Sequence, residues 1–376
     1  MSDQFTEVTT EGYGQRLGGS LVAALFGLIL LPVAIGLLYW NEGRAVTAMR
    51  ALSQGASSIV EANAAAPDPA ANGKLVHVTG TMQAATAARD PEFGVTAPGL
   101  LRLSRTAEMY QWKQDSSSRT EQSIGGTKTT ETTYTYQRVW SSQALNSSAY
   151  KEPENHRNPP MNVRSAVFDG GQVTLGAYRV DPSVLARVSN YSALQPQTAP
   201  PPDYRLSGDA FYRGQDPDQP AIGDVRVRFT AIPAQTVSVA AAQSDGTLTE
   251  FRAANGYTVV LAAPGVVSAA ALFQDARQAA GTLTWILRGV GFVVLLVGLL
   301  CLASPLTTLF AVLPFLESFV GAGAFLVALT LAVPITLITI GVAWIAHRPL
   351  VGGGLLAGAL VTLLLLRALH PRRRAA

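Results

Sequence analysis

Residues 17–40 read LGGSLVAALFGLILLPVAIGLLYW and contain no charged side chain. A run of this length covers the roughly 20 residues needed to cross a hydrocarbon core of about 30 Å. Arg16 marks one edge of the run; Tyr39, Trp40, Asn41, Glu42 and Arg44 mark the other, with the aromatics where an interfacial belt belongs. A cleaved signal peptide needs a basic leading region, a shorter apolar core and a small-residue cleavage site. Here the first fifteen residues carry Asp3, Glu7 and Glu11 and neither Lys nor Arg, and the run ends in bulky aromatics, so it reads as a retained transmembrane helix.

The rest of the chain agrees. Only 14% of the 376 residues are charged, which is low for a soluble protein of this size. Ile286 to Ala303 is apolar except for Arg288, which sits near its start and can snorkel to the headgroups. Phe319 to Ala346 has no charge, nor has Leu350 to Leu366, and His347-Arg348-Pro349 between them fits a tight helical hairpin. SPLTTLFAVLPFLES, between the second and third runs, holds two prolines and fits an interfacial or re-entrant piece better than a separate span. Glycines recur in these runs at 289, 291, 298, 321, 323, 341, 352–354 and 358. They read as close-packing positions between helices, with a pore or hinge as the alternative. No ionisable group lies near the middle of the third or fourth run, which disfavours a proton relay or ion path. Arg367, Arg372, Arg373 and Arg374 place the C-terminal tail in the cytoplasm by the positive-inside rule.

Between the first and second runs the period changes. Ala45 to Ala66 is helix-compatible and continues the first span; Pro67-Asp68-Pro69 stops it. KLVHVTG, YTYQRVW, VRVRF, TVSVAAA and YTVVLAA then alternate as strands. Gly125-Gly126 and Asp245-Gly246 sit where hairpin turns are expected, and Asp115 to Thr132 reads as the exposed tip of a long hairpin. Residues 195–203 form a proline-rich loop, and helical character returns from Val266. The sequence therefore predicts an α+β membrane protein: four transmembrane helices with a large β-rich extramembrane domain between the first and second. The expected segments are a cytoplasmic N-terminus over 1–16, the first helix at 17–40 and an extracytoplasmic α+β domain over 41–284. The second helix follows at 285–303, the interfacial or re-entrant segment at 304–318, the third helix at 319–346, the fourth at 350–367 and a basic cytoplasmic tail over 368–376.

Chemistry-bearing patterns are sparse. The single cysteine, Cys301, excludes an intramolecular disulfide framework. No metalloprotease, nucleophile-elbow or phosphate-loop pattern occurs. His77 lies in a strand between valines and reads as structural; His347 and His370 flank the last run; His156 completes the set. Asp216 and Asp218 in DPDQP read as turn residues rather than a calcium loop. No catalytic residue, cofactor or metal site is assigned. The sharpest local motif is Asn41-Glu42-Gly43-Arg44, which either contacts headgroups or a partner, or marks the membrane exit with Gly43 allowing a bend. Tyr110, Trp112, Tyr134, Tyr136 and Trp140 form a candidate set of interaction aromatics, half of which should be core.

Several strings coincide with a known family. They are Asn41-Glu42-Gly43-Arg44-Ala45 after the apolar run, Gly73 to Val78, Asp90-Pro91-Glu92-Phe93-Gly94-Val95 and Glu108-Met109-Tyr110-Gln111-Trp112. The Thr133 to Trp140 strand, Gly208 to Tyr212, Ile222 to Val227 and Arg348-Pro349-Leu350 continue the series in the same order. On these the chain resembles a prokaryotic member of the transmembrane protein 43 family, also called LUMA. The resemblance implies four spans with a large domain between the first two, no catalytic motif, and a role like that of the eukaryotic members, membrane organisers that oligomerise and hold partners such as emerin and lamins. The expected function is thus an integral membrane scaffold acting by self-association and contact with membrane proteins or lipids. A membrane-bound lipid-handling enzyme and a channel are the alternatives. The expected setting is a bacterial inner membrane with both termini cytoplasmic and the domain periplasmic or extracellular. The expected partners are the bilayer, other copies and other membrane proteins, with no nucleic acid.

Overall fold

The structure, a computed structural model, describes residues 3–347. The expected fourth helix at 350–367 and the basic tail at 368–376 lie outside the described residues. The chain divides into two units: a β-rich one of Met1–Thr9, Ala51–Arg119 and Glu131–Ala276, and a helical one of Thr10–Arg50, Thr120–Thr130 and the chain from Arg277.

In the β-rich unit, the smaller sheet closes on itself. Leu75–Ala84 pairs antiparallel with Gln235–Ser244 over the register Leu75↔Ala242 to Met82↔Gln235. Asp245-Gly246, both at positive φ, turn the chain back into Thr247–Thr249, as the sequence suggested. Thr247–Thr249 runs parallel to Tyr178–Val180, which pairs with Val173–Leu175, and that strand returns to Leu75–Ala84 at Met82↔Leu175. A barrel this small is filled by its own side chains. Val76, Val78 and Met82 meet Val237, Val239, Ala241, Leu175, Tyr178 and Leu248 inside, all buried. Leu75 and His77 point the other way. Gly55 sits so close to Leu75 and Phe273 that a Cβ there would come within 3.1 Å of both, so Ala51–Ser58 and the helix start at Ala269 cover the outer face of this strand. The His77 ring is held by Glu61 at 2.6 Å and the carbonyl of Val267 at 2.9 Å, the structural role read from its valine neighbours.

The larger sheet runs in the order Gln4–Glu11, Lys128–Ser141, Leu100–Gln122, Val225–Pro233, Ala210–Arg213, Arg205–Ser207. Leu103, Ala107 and Met109 alternate inward against Phe93, Phe211 and Phe229, while Ser104, Thr106 and Glu108 face outward. Arg105 breaks the pattern: it is inward and buried, bonded to both carboxylate oxygens of Asp90 at 3.1 and 2.9 Å and flanked by the rings of Phe93 and Phe168. Asp90 also accepts from the amides of Glu92 and Phe93, so the Asp90–Val95 string is a turn built to hold a buried guanidinium.

Two boundaries differ from those expected. Residues 1–16 do not form a separate tail, because Gln4–Glu11 is an edge strand of the larger sheet. Asp3 and Glu7 are both bound. The buried His156 ring takes Asp3 at 2.6 Å, and Lys151 takes Glu7 at 2.7 Å. Residues 304–318 are not a separate element but are shared by two helices and the turn between them. The second long helix passes through Pro305 to Leu309, one tight turn covers Phe310–Val312, and Pro314 opens the next helix. A proline inside an apolar helix is tolerated where neighbouring helices absorb the freed backbone groups, and proline at a first helical position loses no bond.

Among the described residues three helices are long and apolar enough to cross a membrane, Tyr13–Ser58, Ala269–Val312 and Pro314–His347. They meet at Ala34, Leu295 and Ala332, packed by Leu31, Phe292, Leu299 and Ile335. Gly27 and Gly298 face each other closely, with a Cβ at Gly27 placed 2.6 Å from the Gly298 carbonyl, and Gly291 receives Leu38. Packing therefore accounts for these glycines, whereas among the described residues nothing stands within 4 Å of where a Cβ would be at Gly321, Gly323 and Gly341. The hairpin joining Leu100–Gln122 to Lys128–Ser141 forms as expected, but its tip is not free. Gly126 is buried against Tyr13, its carbonyl accepts from Arg16 at 3.0 Å, and the Gly125 amide donates to Val312. Arg16 also pairs with Glu317 at 2.5 Å, joining the first and third helices at this end.

The edge strand gives a direct test. A carbodiimide joins amine and carboxylate only at contact distance, so it should link Glu7 to Lys151 within one chain, read by peptide mass spectrometry. Lys151→Arg should abolish that linked peptide and leave others. Its absence from the wild type would contradict the pairing of residues 4–11. The carboxyl of Glu7 is held below the ordinary range, first by its bond with Lys151, so the contact should be present at neutral pH and lost on acidification through that lowered value.

Candidate functional site

The Asn41-Glu42-Gly43-Arg44 motif lies on the first helix just past its apolar run, and each of its residues reaches another helix or shapes the contact. Glu42 is 2% exposed. Its carboxylate accepts from Arg288 Nε at 2.6 Å and Nη2 at 2.9 Å, a bidentate pair from the second helix, and from Trp344 Nε1 at 2.8 Å on the third. Asn41 donates to the carbonyl of Thr284 at 3.1 Å. Arg44 Nη2 donates to Asn41 Oδ1 and to Thr284 Oγ1, each at 3.1 Å. Gly43 is required by contact rather than bending: the His347 imidazole lies where a side chain would be, 2.8 Å from an added Cβ. Tyr39 packs on the other side of that ring at 5.3 Å. The helix is continuous here.

The sequence left Arg288 free to snorkel. It is turned inward instead, because a buried carboxylate one helix away offers more than a distant headgroup, and the exposed Trp285 ring covers its outer side at 4.6 Å. Thr284, Arg288 and Trp344 were not among the expected site residues. One signal for them was present: Glu42 borders the first apolar run and Arg288 is the lone charge in the second. Opposite charges at matching depth on neighbouring helices are expected to pair. Chemically this arrangement orients and holds. Every carboxylate oxygen of Glu42 is engaged by a cation or an indole, which leaves no lone base to take a substrate proton.

The five candidate aromatics separate into three settings within the β-rich unit. Tyr110 and Trp140 pack at 5.2 Å, with Arg226 stacked over Trp140 at 4.3 Å and itself bonded to Glu108. Tyr136 is buried, stacked on His156 at 3.6 Å, with Trp112 edge-on to the same imidazole at 4.8 Å. Burial pushes the Tyr136 phenol up. Tyr134 lies beside Phe5 and Lys151 near the edge strand. They share one face of the hairpin, since Tyr110 meets Trp140, Trp112 meets Arg138 and Gln114 meets Tyr136 across the two strands; His156 covers Tyr136 and Trp112 and makes the seat for Asp3, while Arg226 covers Trp140. Burial also raises the Tyr212 phenol, with Asp224 at 2.5 Å adding to the effect. Among the described residues no group of three or more His, Cys, Asp or Glu side chains is placed to hold a metal ion.

Three long apolar helices joined through buried polar groups, with a large β-rich unit between the first and second, define an integral membrane protein. The comparisons agree with that class. The family model described as "Transmembrane protein 43" matches residues 109–349. The human protein named "Transmembrane protein 43" is 30% identical over 378 residues, covering 96% of this chain and 94% of its own. The mouse protein of that name is 29% identical, covering 99% and 96%. "Transmembrane protein 43 homolog" of Drosophila melanogaster is 30% identical, covering 89% and 92%. The chain belongs to the transmembrane protein 43 family. No solved structure matches it.

Removing one partner of a buried ion pair leaves an uncompensated charge and costs about 3–5 kcal/mol. Glu42→Gln should therefore lower the free energy of unfolding in detergent by about 3–5 kcal/mol, seen as a lowered midpoint, and Glu42→Gln with Arg288→Met should recover much of it. Additive losses would show that the two residues act separately. Gly43→Ala should lower the midpoint as well, since His347 must move; an unchanged midpoint would place the ring elsewhere.

Proposed function

We propose that this protein is a membrane scaffold that works by self-association and by contact with other membrane proteins and lipids, and that it catalyses no reaction of its own. The observation that carries this reading is the polar lock at Glu42. The intramembrane charge is committed to joining three helices, which suits a stiff anchor and not a moving site or an ion path. The third helix supplies the means of association. Among the described residues nothing stands within 4 Å of a Cβ placed at Gly321, Gly323 or Gly341, and Phe319, Leu326, Leu337 and Ile338 of the same helix are exposed. Small residues on a lipid-facing helix let another backbone approach, and close packing drives association between helices in lipid. The names of the relatives speak of a membrane protein.

Crosslinking in native membranes followed by mass spectrometry tests the proposal. Copies of this chain, and a recurring set of neighbours, should appear at several crosslinker lengths, with contacts through residues 319–341. Monomer alone with no recurrent neighbour would overturn the scaffold reading and reopen that of a lipid-handling enzyme.

A further inference from the structure

His156 in the β-rich unit is fully buried, and each of its ring nitrogens meets an oxygen. Nδ1 lies 2.9 Å from the Glu152 carbonyl and Nε2 lies 2.6 Å from a carboxylate oxygen of Asp3. Carbonyl and carboxylate oxygens only accept, and a neutral imidazole carries a single N–H. Both contacts are hydrogen bonds only when the ring holds two hydrogens and a positive charge. The Asp3 side chain is 49% exposed, so water supports its negative charge and the shared proton belongs on the ring.

The groups packed around the ring fit a cation. Tyr136, from the strand Lys128–Ser141, stacks on it at 3.6 Å, presenting the aromatic face that attracts positive charge. Its hydroxyl donates to Gln114. Trp112, from Leu100–Gln122, closes another side edge-on at 4.8 Å and is neutral. The opposing charge is Arg138, which lies over the Trp112 ring at 5.5 Å. On the histidine's own loop Glu152 adds a carboxylate, and Lys151 is paired with Glu7. Asp3 leads directly into the edge strand Gln4–Glu11, and its carbonyl accepts from the Tyr136 amide at 3.2 Å. One ring thus grips the leading end of that strand.

We propose that His156 is a proton-operated latch that seats residues 3–11 on the larger sheet while its ring is protonated and loosens them as pH rises. Loss of the proton to water leaves one nitrogen bare against an oxygen in a site closed to solvent, and the bond to Asp3 loses its charge or its hydrogen. The seated ring holds a proton that the released ring gives up, so seating weakens with rising pH. The sign is opposite to that of the Glu7–Lys151 contact, which is lost on acidification. The latch does not depend on the scaffold reading.

The test uses the full chain in detergent. Hydrogen exchange, corrected for the intrinsic effect of pH, is read in peptides covering residues 4–11 and 134–138. From about pH 6 to pH 8, the interval in which histidine changes charge, protection in the wild type should fall by about ten-fold, the difference between a charge-assisted and a neutral hydrogen bond. Asp3→Asn and H156Q should both start less protected and show no such fall. Nitrogen NMR with isotope-labelled histidine should show a doubly protonated ring at about pH 6 that H156Q removes, a difference that separates it from His77, whose ring meets a similar pair of acceptors. If H156Q fails to fold, Asp3→Asn carries the exchange comparison, since Asp3 is half-exposed. Flat protection in the wild type, the same fall in either variant, or no doubly protonated ring lost with His156 would overturn the latch.

Discussion

A carboxylate beside a hydrocarbon core is stable only when its charge is matched and its lone pairs are filled, and the arrangement of the helices follows from meeting that condition at Glu42. The match must come from two directions. Arg288 supplies the charge and Trp344 the remaining donor, so the second and third helices are fixed in depth and rotation relative to the first. Apolar packing alone would not do this, since lipid tails are as good a solvent for leucine as another helix. The Ala34–Leu295–Ala332 contact is compatible with many small slips along the helix axes; a bidentate ion pair is not.

The same logic repeats in the β-rich unit with different groups. Arg105 is buried because Asp90 is presented by a turn whose amides are already bonded to it. His156 is buried because Asp3 and the Glu152 carbonyl take both of its nitrogens, and Tyr136 and Trp112 enclose the ring. In each case one ionised or polar side chain fixes a connection that alternating hydrophobic residues leave free to slide. Such groups give weak net stability but a strong preference for one register.

These groups also explain what could be read in the sequence. The apolar runs, the alternating strands and the two glycine turns were legible, because length, period and positive φ are local properties. The bounds of the second and third helices were not, since Pro305 and Pro314 carry the same local signal while one sits within a helix and the other starts one. The strand Gln4–Glu11 was hidden because its partners lie far along the chain. Tyr136 and Tyr110 share one face of the long hairpin, and only the fold decides that His156 covers the first and not the second. Arg288 was visible as an oddity, but its direction depends on where Glu42 comes to stand.

The edge strand has a consequence for how the chain is made. Asp3 leaves the ribosome well before His156, which lies 153 positions further along the chain. Throughout that interval the first apolar helix is already complete and can enter the bilayer, yet the strand before it has nothing to pair with. The sheet must therefore be finished by a segment synthesised first and seated late, a long-range closure of the kind that slows folding. Until it seats, the edge of Lys128–Ser141 is open to any strand that reaches it, including the same segment of a neighbouring copy. Assembly of this protein is thus timed by its second hundred residues, and crowding of nascent chains in one patch of membrane would compete directly with its completion.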